Sequence, residues 1–211
     1  MMESCISNDH NRSSIETRGS RARQRWSRLL MAGIALTMLG MLPACDKSDS
    51  GTEPDIVTIA DLMPRDNEIS GWSQSGGSGG SWQAVNPSEL QEQINGGSEL
   101  YTNHGFVEAA MQSYTGKVNA QSGVVCEIQV YDQGTAENAD EVFDDPNNVF
   151  ASPIAPANPP ATRAQIRKDL FSWTMKFVKD RYYVLISIIT SEDKGQEVLE
   201  VFANNVAARI Q

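Results

Sequence analysis

The segment Asn95–Phe106, NGGSELYTNHGF, gathers the residue types in this chain that could do chemistry. It contains a carboxylate at Glu99, a phenol at Tyr101 and, at His104, the only histidine after residue 10. Side chains of these three types are general acids and bases in enzymes, so the spacing is compatible with a hydrolase-like site. The candidate site consists of Asn95, Gly96, Gly97, Glu99, Tyr101 and His104.

Two local conformations are compatible with this segment. In the first, one helix runs from Pro87 to His104 and places Gly97 on a buried stripe, where the missing side chain lets helix and sheet approach closely. Glu99 then faces water about 140° away from His104, so the two side chains cannot form a dyad. His104 lies in the last turn before a left-handed Gly105, where the carbonyl end of the helix favours positive charge.

In the second conformation the pair Gly96-Gly97 breaks the helix. A new helix then begins near Ser98 as its cap, with Glu99 in the first turn and unpaired amides that could bind an anion. The first conformation makes the segment a piece of architecture, and the second leaves room for a ligand. Because the continuous helix separates Glu99 from His104, we expect architecture rather than a catalytic site.

Other reactive chemistry has little support in the sequence. Zinc sites use several Cys or His ligands, and a single histidine cannot supply such a set. Val124, Cys126, Ile128 and Val130 occur at every second position, and Glu127 and Gln129 point the other way, which predicts a strand that buries Cys126 as an inert thiol. Calcium loops, phosphate loops and dinucleotide fingerprints are not recognisable. We therefore predict no metal and no cofactor.

The N-terminal residues are typical of an export signal. Arg21, Arg23, Arg25 and Arg28 precede an uncharged run of fourteen residues, Leu29–Leu42. Such a run is too short to span a bilayer comfortably, and its basic flank is that of a signal peptide. The next residues, Leu42-Pro43-Ala44-Cys45, resemble the lipobox of bacterial lipoproteins. That resemblance implies a diacylglycerol on the Cys45 sulfur, cleavage before Cys45 and added fatty acids such as palmitate.

The chain divides accordingly into three parts. Residues 1–44 are predicted to be a removed signal peptide, 45–60 the lipidated cysteine with a flexible polar tether, and 61–211 one globular domain. Eleven basic and 24 acidic side chains follow residue 45, a net charge of −13. An acidic surface of this kind repels phosphate backbones, so we expect no nucleic-acid partner.

The hydrophobic pattern predicts the order helix, hairpin, helix, hairpin, helix, with a possible extra strand near Trp72. The predicted elements are a helix from Pro87 capped by Asn86, a hairpin of Phe106–Tyr114 and Val124–Asp132 joined by the polar stretch TGKVNAQSG, a helix capped by Thr135, a hairpin around 171–190 and a C-terminal helix. In the second hairpin Lys176 alternates with the apolar residues Met175 and Phe177 and is placed on the polar face of its strand. Hairpins interleaved with helices favour the α+β class. We predict an antiparallel sheet of two hairpins with helices mainly on one face, a two-layer sandwich.

Several motifs together resemble an uncharacterised bacterial family of exported proteins, many of them lipoproteins. They are the SGW tripeptide before Ser73, the segment INGGSELYTNHGF, the strand end VYDQGTAENADEVF and the late hairpin. This resemblance covers roughly residues 61–211 and implies export without implying an activity. The sequence therefore predicts a lipoprotein of the bacterial cell envelope, held in the inner or outer membrane through Cys45. Its domain is expected to be a non-catalytic binding or interaction module, and the alternative is an extracytoplasmic enzyme.

Overall fold

The structure is a computed structural model that describes residues 58–77 and 79–211. The predicted signal peptide, Cys45 and most of the tether lie outside these residues. All described residues belong to one compact unit, Gly51–Gln211. Both of its hydrophobic clusters are built from residues between Ile59 and Ile210, so this unit contains its own core.

In the residues that the structure describes, seven strands form a single antiparallel sheet. They are β1 Ser73–Gln74, β2 Ser81–Ala84, β3 Glu108–Val118, β4 Gln121–Asp132, β5 Arg163–Lys168, β6 Trp173–Lys179 and β7 Tyr182–Ile188. Their order across the sheet is β1-β3-β4-β7-β6-β5, and β2 also pairs with β3. The predicted α+β class with an antiparallel sheet is confirmed.

Within residues 58–77 and 79–211, four α-helices and two short 3-10 helices accompany the sheet. The α-helices are α1 Pro87–Ile94, α2 Glu99–Thr102, α3 Ala136–Asp144 and α4 Gly195–Ala207, and the 3-10 helices are Ile59–Leu62 and Pro146–Asn148. The local sequence explains where two of the α-helices, α1 and α3, begin. Asn86 accepts a hydrogen bond from the Glu89 amide (3.0 Å) and Thr135 from the Asn138 amide (3.2 Å), as predicted for N-caps.

Helices cover both faces of the sheet, which corrects the expectation of helices mainly on one face. Successive residues of a strand point to opposite faces. Phe177 of β6 packs in one hydrophobic cluster with Phe202 of α4, whereas the next residue, Val178, packs in a second cluster with Val142 of α3. The sheet is therefore the middle of three layers, because both of its central faces are apolar enough to require a cover.

The first hairpin is longer than its sequence predicted. The polar stretch TGKVNAQSG was expected to be a loop, but β3 and β4 continue through most of it and turn at Asn119, whose φ is 52°. A register shift between Gly116 and Lys117 bends this extension. The Trp72 ring packs on Gly116 so closely that an added Cβ would lie 2.3 Å from it. Tertiary packing against Trp72 thus fixes a segment that has no strand propensity of its own.

The second hairpin and the C-terminal helix follow the predicted pattern, with one strand added. β5, Arg163–Lys168, pairs with β6 and was not predicted, because its sequence RAQIRK has one apolar side chain of β-branched type. On its outer side Ile166 exchanges two backbone hydrogen bonds with Ile154 of the proline-rich segment (2.7 and 2.8 Å). The edge of the sheet is therefore partly covered by a segment that has no strand pattern.

Candidate functional site

The candidate segment is broken at its glycines. α1 ends at Ile94, α2 begins at Glu99, and between them Asn95 and Gly96 have φ angles of 35° and 59°. The continuous helix is therefore wrong and the break at Gly96-Gly97 is confirmed, but the Ser98 side chain makes no capping hydrogen bond, so its predicted role as a cap is wrong. Left-handed backbone at two successive positions cannot be accommodated in a helix, and glycine adopts it without steric cost.

Gly97 does not lie on a buried stripe. It is exposed, and a Cβ added to it would meet only the carbonyl oxygens of Ile94 at 3.7 Å and Asn95 at 3.9 Å. These are ordinary contacts, so no close approach of helix and sheet requires glycine there. The predicted packing role is wrong because the chain turns at Asn95 before the helical stripe can reach Gly97.

Glu99 and Tyr101 diverge from one another. Glu99 is exposed in the first turn of α2, whereas Tyr101 is buried. The Tyr101 ring stacks on Tyr131 of β4 with a centroid distance of 3.6 Å and lies 6.0 Å from Tyr183 of β7. Burial raises the pKa of the Tyr101 phenol well above its ordinary value, so the group stays protonated at neutral pH. Tyr101 is an anchor of α2 on the sheet.

The side chain of His104 contacts Glu141 of α3 and Asp145, the residue that follows α3. Its Nδ1 lies 3.0 Å from Oε2 of Glu141, and its Nε2 lies 3.2 Å from Oδ2 of Asp145. Desolvation lowers the pKa of His104, but hydrogen bonds and charge attraction from the two carboxylates outweigh it, so the net pKa is raised. An imidazolium can donate to both carboxylates at once, whereas a neutral imidazole can donate to only one.

This geometry gives His104 a structural role and not the role of a general base. The two contacts from His104 to Glu141 and Asp145 are called the brace below. Both ring nitrogens are occupied by carboxylates, which leaves no lone pair to accept a substrate proton. The next residue, Gly105, has a φ of 78° and ends the turn, as the sequence predicted. A Cβ there would lie 2.1 Å from Nδ2 of Asn138, so α3 packs directly against this turn. The brace therefore joins the end of α2 to α3.

The structure also contains a buried lysine that the sequence did not single out. Lys176 is 1% exposed, and its Nζ donates to the carbonyl oxygens of Phe143 (2.8 Å) and Asn148 (2.5 Å). Its ammonium group lies 4.4 Å from the centre of the Phe143 ring and 5.0 Å from that of Phe150. Desolvation lowers the pKa of Lys176 to about 8. Strand alternation had placed Lys176 on a polar face, but α3 covers that face.

Lys176 therefore stabilises the C-terminal end of α3 by donating hydrogen bonds to backbone carbonyls at and beyond it. The last carbonyls of a helix have no partner within the helix, and a cation near them is favourable. Both of its hydrogen bonds go to backbone carbonyls that follow Val142. A reactive lysine would instead point its amine at a pocket. The lowered pKa is here a consequence of structural burial.

In the described part of the chain, neither Cys126 nor the carboxylates form a catalytic or metal site. Cys126 is fully buried in β4, as the alternation predicted, and burial raises the pKa of its thiol. Among residues 58–77 and 79–211, no three side chains of the His, Cys, Asp or Glu types converge as metal ligands would. None of the helices in these ranges has both the length and the apolar character to cross a bilayer.

The six candidate residues are thus not brought together. Tyr101 faces the sheet and His104 faces α3, while Asn95, Gly96, Gly97 and Glu99 are exposed. The partners Glu141 and Asp145 lie 37 and 41 residues after the histidine, and no local pattern could have revealed them. Comparisons with protein-family models and with curated proteins give no match to this chain.

Proposed function

We propose that this chain is a bacterial lipoprotein, anchored to a cell-envelope membrane by lipid on Cys45, whose folded domain is a non-catalytic binding or interaction module. The order of basic residues, apolar run, Ala44 and Cys45 supports the anchor. The domain then faces the periplasm or the exterior, at the inner or the outer membrane. The anchor residues lie outside the described part of the chain.

The dispersal of the candidate residues is the observation that supports a non-catalytic role. An acid–base site needs its groups within hydrogen-bond reach of one substrate position. Glu99 is exposed, Tyr101 is stacked inside the domain, and both nitrogens of His104 are taken by carboxylates. A hydrolase-like mechanism that uses these three groups has no common point at which to act. For this reason the arrangement does not support an enzyme that uses Glu99, Tyr101 and His104 together.

Acylation is tested by expressing the full chain in bacteria that are fed an alkyne analogue of palmitate. The parent protein should take up the label and fractionate with membranes, and Cys45→Ala should abolish the label and leave an unprocessed precursor. Mass spectrometry of the parent should find Cys45 as the acylated N-terminal residue. These outcomes are expected if the lipid is attached at the Cys45 sulfur alone.

Cys5→Ser is the matched control, because Cys5 precedes the apolar run and is predicted to be removed with the signal. This variant should retain both the label and the membrane fractionation. Label that persists in Cys45→Ala, or an N-terminus without acyl mass, would overturn the anchor. Cys126 is buried and needs no control of its own.

A further inference from the structure

A concave cleft with a volume of about 330 Å³ opens between α4 and the turn of the first hairpin. Trp72 and Val118 form its floor and are almost fully buried, while Val198 and Val201 of α4 form an apolar wall. Val201 leaves 53% of its surface exposed. A cleft of this size and lining falls at the small end of the range that binds organic molecules.

Two lysines stand at the rim of this cleft, Lys117 on the hairpin and Lys194 at the start of α4. The same rim carries one carboxylate, Glu197, which lies 3.9 Å from the Lys194 ammonium. Glu192 is nearby, but its carboxylate accepts a hydrogen bond from Asn119 (2.7 Å). Two lysines against one carboxylate give the lining residues a net charge of +1, and the Glu192 carboxylate, which keeps its negative charge in this hydrogen bond, lies outside the lining.

The placement of these lysines is unusual for this domain. The described residues contain ten Lys and Arg against twenty Asp and Glu. Seven of the ten basic side chains lie 3.0 Å or less from a carboxylate or carbonyl oxygen, and these are Arg163, Arg167, Lys168, Lys176, Lys179, Arg181 and Arg209. Within the described ranges only Arg65, Lys117 and Lys194 have no such acceptor, and two of these three face the cleft.

We propose that this cleft is a binding site for a small amphipathic organic anion. The apolar body of the ligand lies against Trp72, Val198 and Val201, and its carboxylate or sulfonate lies between Lys117 and Lys194. Apolar walls with a few placed polar groups are the general design of small-molecule sites. A polyanion is disfavoured because the rest of the surface is acidic and repels it. The proposal names the ligand class of the binding module proposed above.

The test uses residues 51–211, since this unit contains its own core and lacks Cys45. Anilinonaphthalene sulfonate is the probe, because its fluorescence rises when its aromatic rings leave water. Phenylnaphthylamine has the same rings without the anion and is the matched neutral probe. We expect saturable binding of one sulfonate dye per chain and binding of the neutral dye that is about tenfold weaker or more.

Three variants connect the binding to the cleft. The double variant Lys117→Gln, Lys194→Gln should weaken binding of the sulfonate dye about five- to tenfold and leave the neutral dye unchanged. Glu197→Gln should strengthen binding of the sulfonate dye, since it removes the one carboxylate of the rim. Arg65→Gln removes the third of these cations, which is not among the residues that line the cleft, and should change nothing. Thermal melting checks that each variant stays folded.

Equal affinity of parent and double variant for the sulfonate dye would overturn the proposal, as would equal affinity of the parent for the two dyes. Absence of saturable binding would also overturn it. Because Cys45 is not in the tested unit, these outcomes are independent of the acylation experiment. If Cys45 is acylated but no dye binds, the proposal of a lipoprotein is kept and only the proposed ligand class is rejected.

Discussion

His104 shows how a residue that looks catalytic can be structural. Its two carboxylate partners raise its pKa, so folding takes up a proton and the brace contributes stability below the unfolded pKa of about 6.5. This contribution is lost as the pH rises through the higher pKa of the folded state. The sequence analysis attributed a favoured positive charge at His104 to the helix end, whereas the structure attributes it to Glu141 and Asp145.

We therefore expect His104→Gln to lower the free energy of unfolding at about pH 5.5, by up to about 1 kcal/mol, and to have a smaller effect at about pH 8.5. Urea unfolding at both pH values measures the difference. Glu99→Gln is the control, because Glu99 is exposed and should behave like the parent at both. A His104→Gln effect that is constant or grows with pH would show that the brace is not protonated.

Two glycines of the same segment should respond in opposite ways to alanine. Gly97→Ala should change the free energy of unfolding by less than about 0.5 kcal/mol, because the site is exposed and a Cβ meets only ordinary contacts. Gly105→Ala should cost more than about 1 kcal/mol, since its φ is 78° and Asn138 occupies the space. Denaturant melts compare the pair, and a larger loss for Gly97→Ala would contradict this placement of the segment.

At the scale of elements, polar contacts fix both ends of α3, and the contact at its end comes from the sheet. Thr135 caps its start, and Lys176 of β6 binds carbonyls at and beyond its end. Between them, Val142 and Ala139 supply the apolar contact with the second cluster. A helix of nine residues is marginal alone, so these contacts decide where it lies.

The lysine gives this element a pH dependence. Its pKa falls from 10.5 to about 8 on folding, so between these values the unfolded state binds more protons and stability rises with pH. We expect the parent to become more stable from about pH 8 to 9.5 and Lys176→Met to lose most of that rise. Lys117→Met, at an exposed position, should keep it. Parallel slopes for parent and Lys176→Met in chemical unfolding would refute the burial of a charged lysine.

At the scale of the whole molecule, Cys126 reports on global unfolding. It lies in the middle strand of a covered sheet and is fully buried, with a raised thiol pKa. A thiol reagent should therefore label it only when the domain opens, at a rate that increases with urea. Ser122→Cys, placed on an exposed residue of the same strand in a Cys126→Ala background, should react at once. Rapid labelling of Cys126 in native conditions would refute the sheet register.

Local sequence was sufficient wherever neighbours in the chain determine the structure. The caps at Asn86 and Thr135, the alternation that buries Cys126 and the left-handed Gly105 depend on a few adjacent residues, and each is confirmed. Alternating and helical patterns also predicted the α+β class, because burial of an apolar face imposes a period of two on strands and 3.6 on helices. The same local evidence predicts the anchor at Cys45, which stays a prediction.

Tertiary structure alone decided what distant segments do to one another. It brought His104 into contact with two carboxylates at the end of α3. It also covered the face of β6 that holds Lys176 and paired the polar strand β5 with β6. It also placed Lys117 and Lys194 around the floor at Trp72. These contacts join residues that are tens of positions apart, and the apolar layers on both faces of the sheet bring them together. Periodicity shows which face of an element is buried, but the packing determines which side chains it meets there.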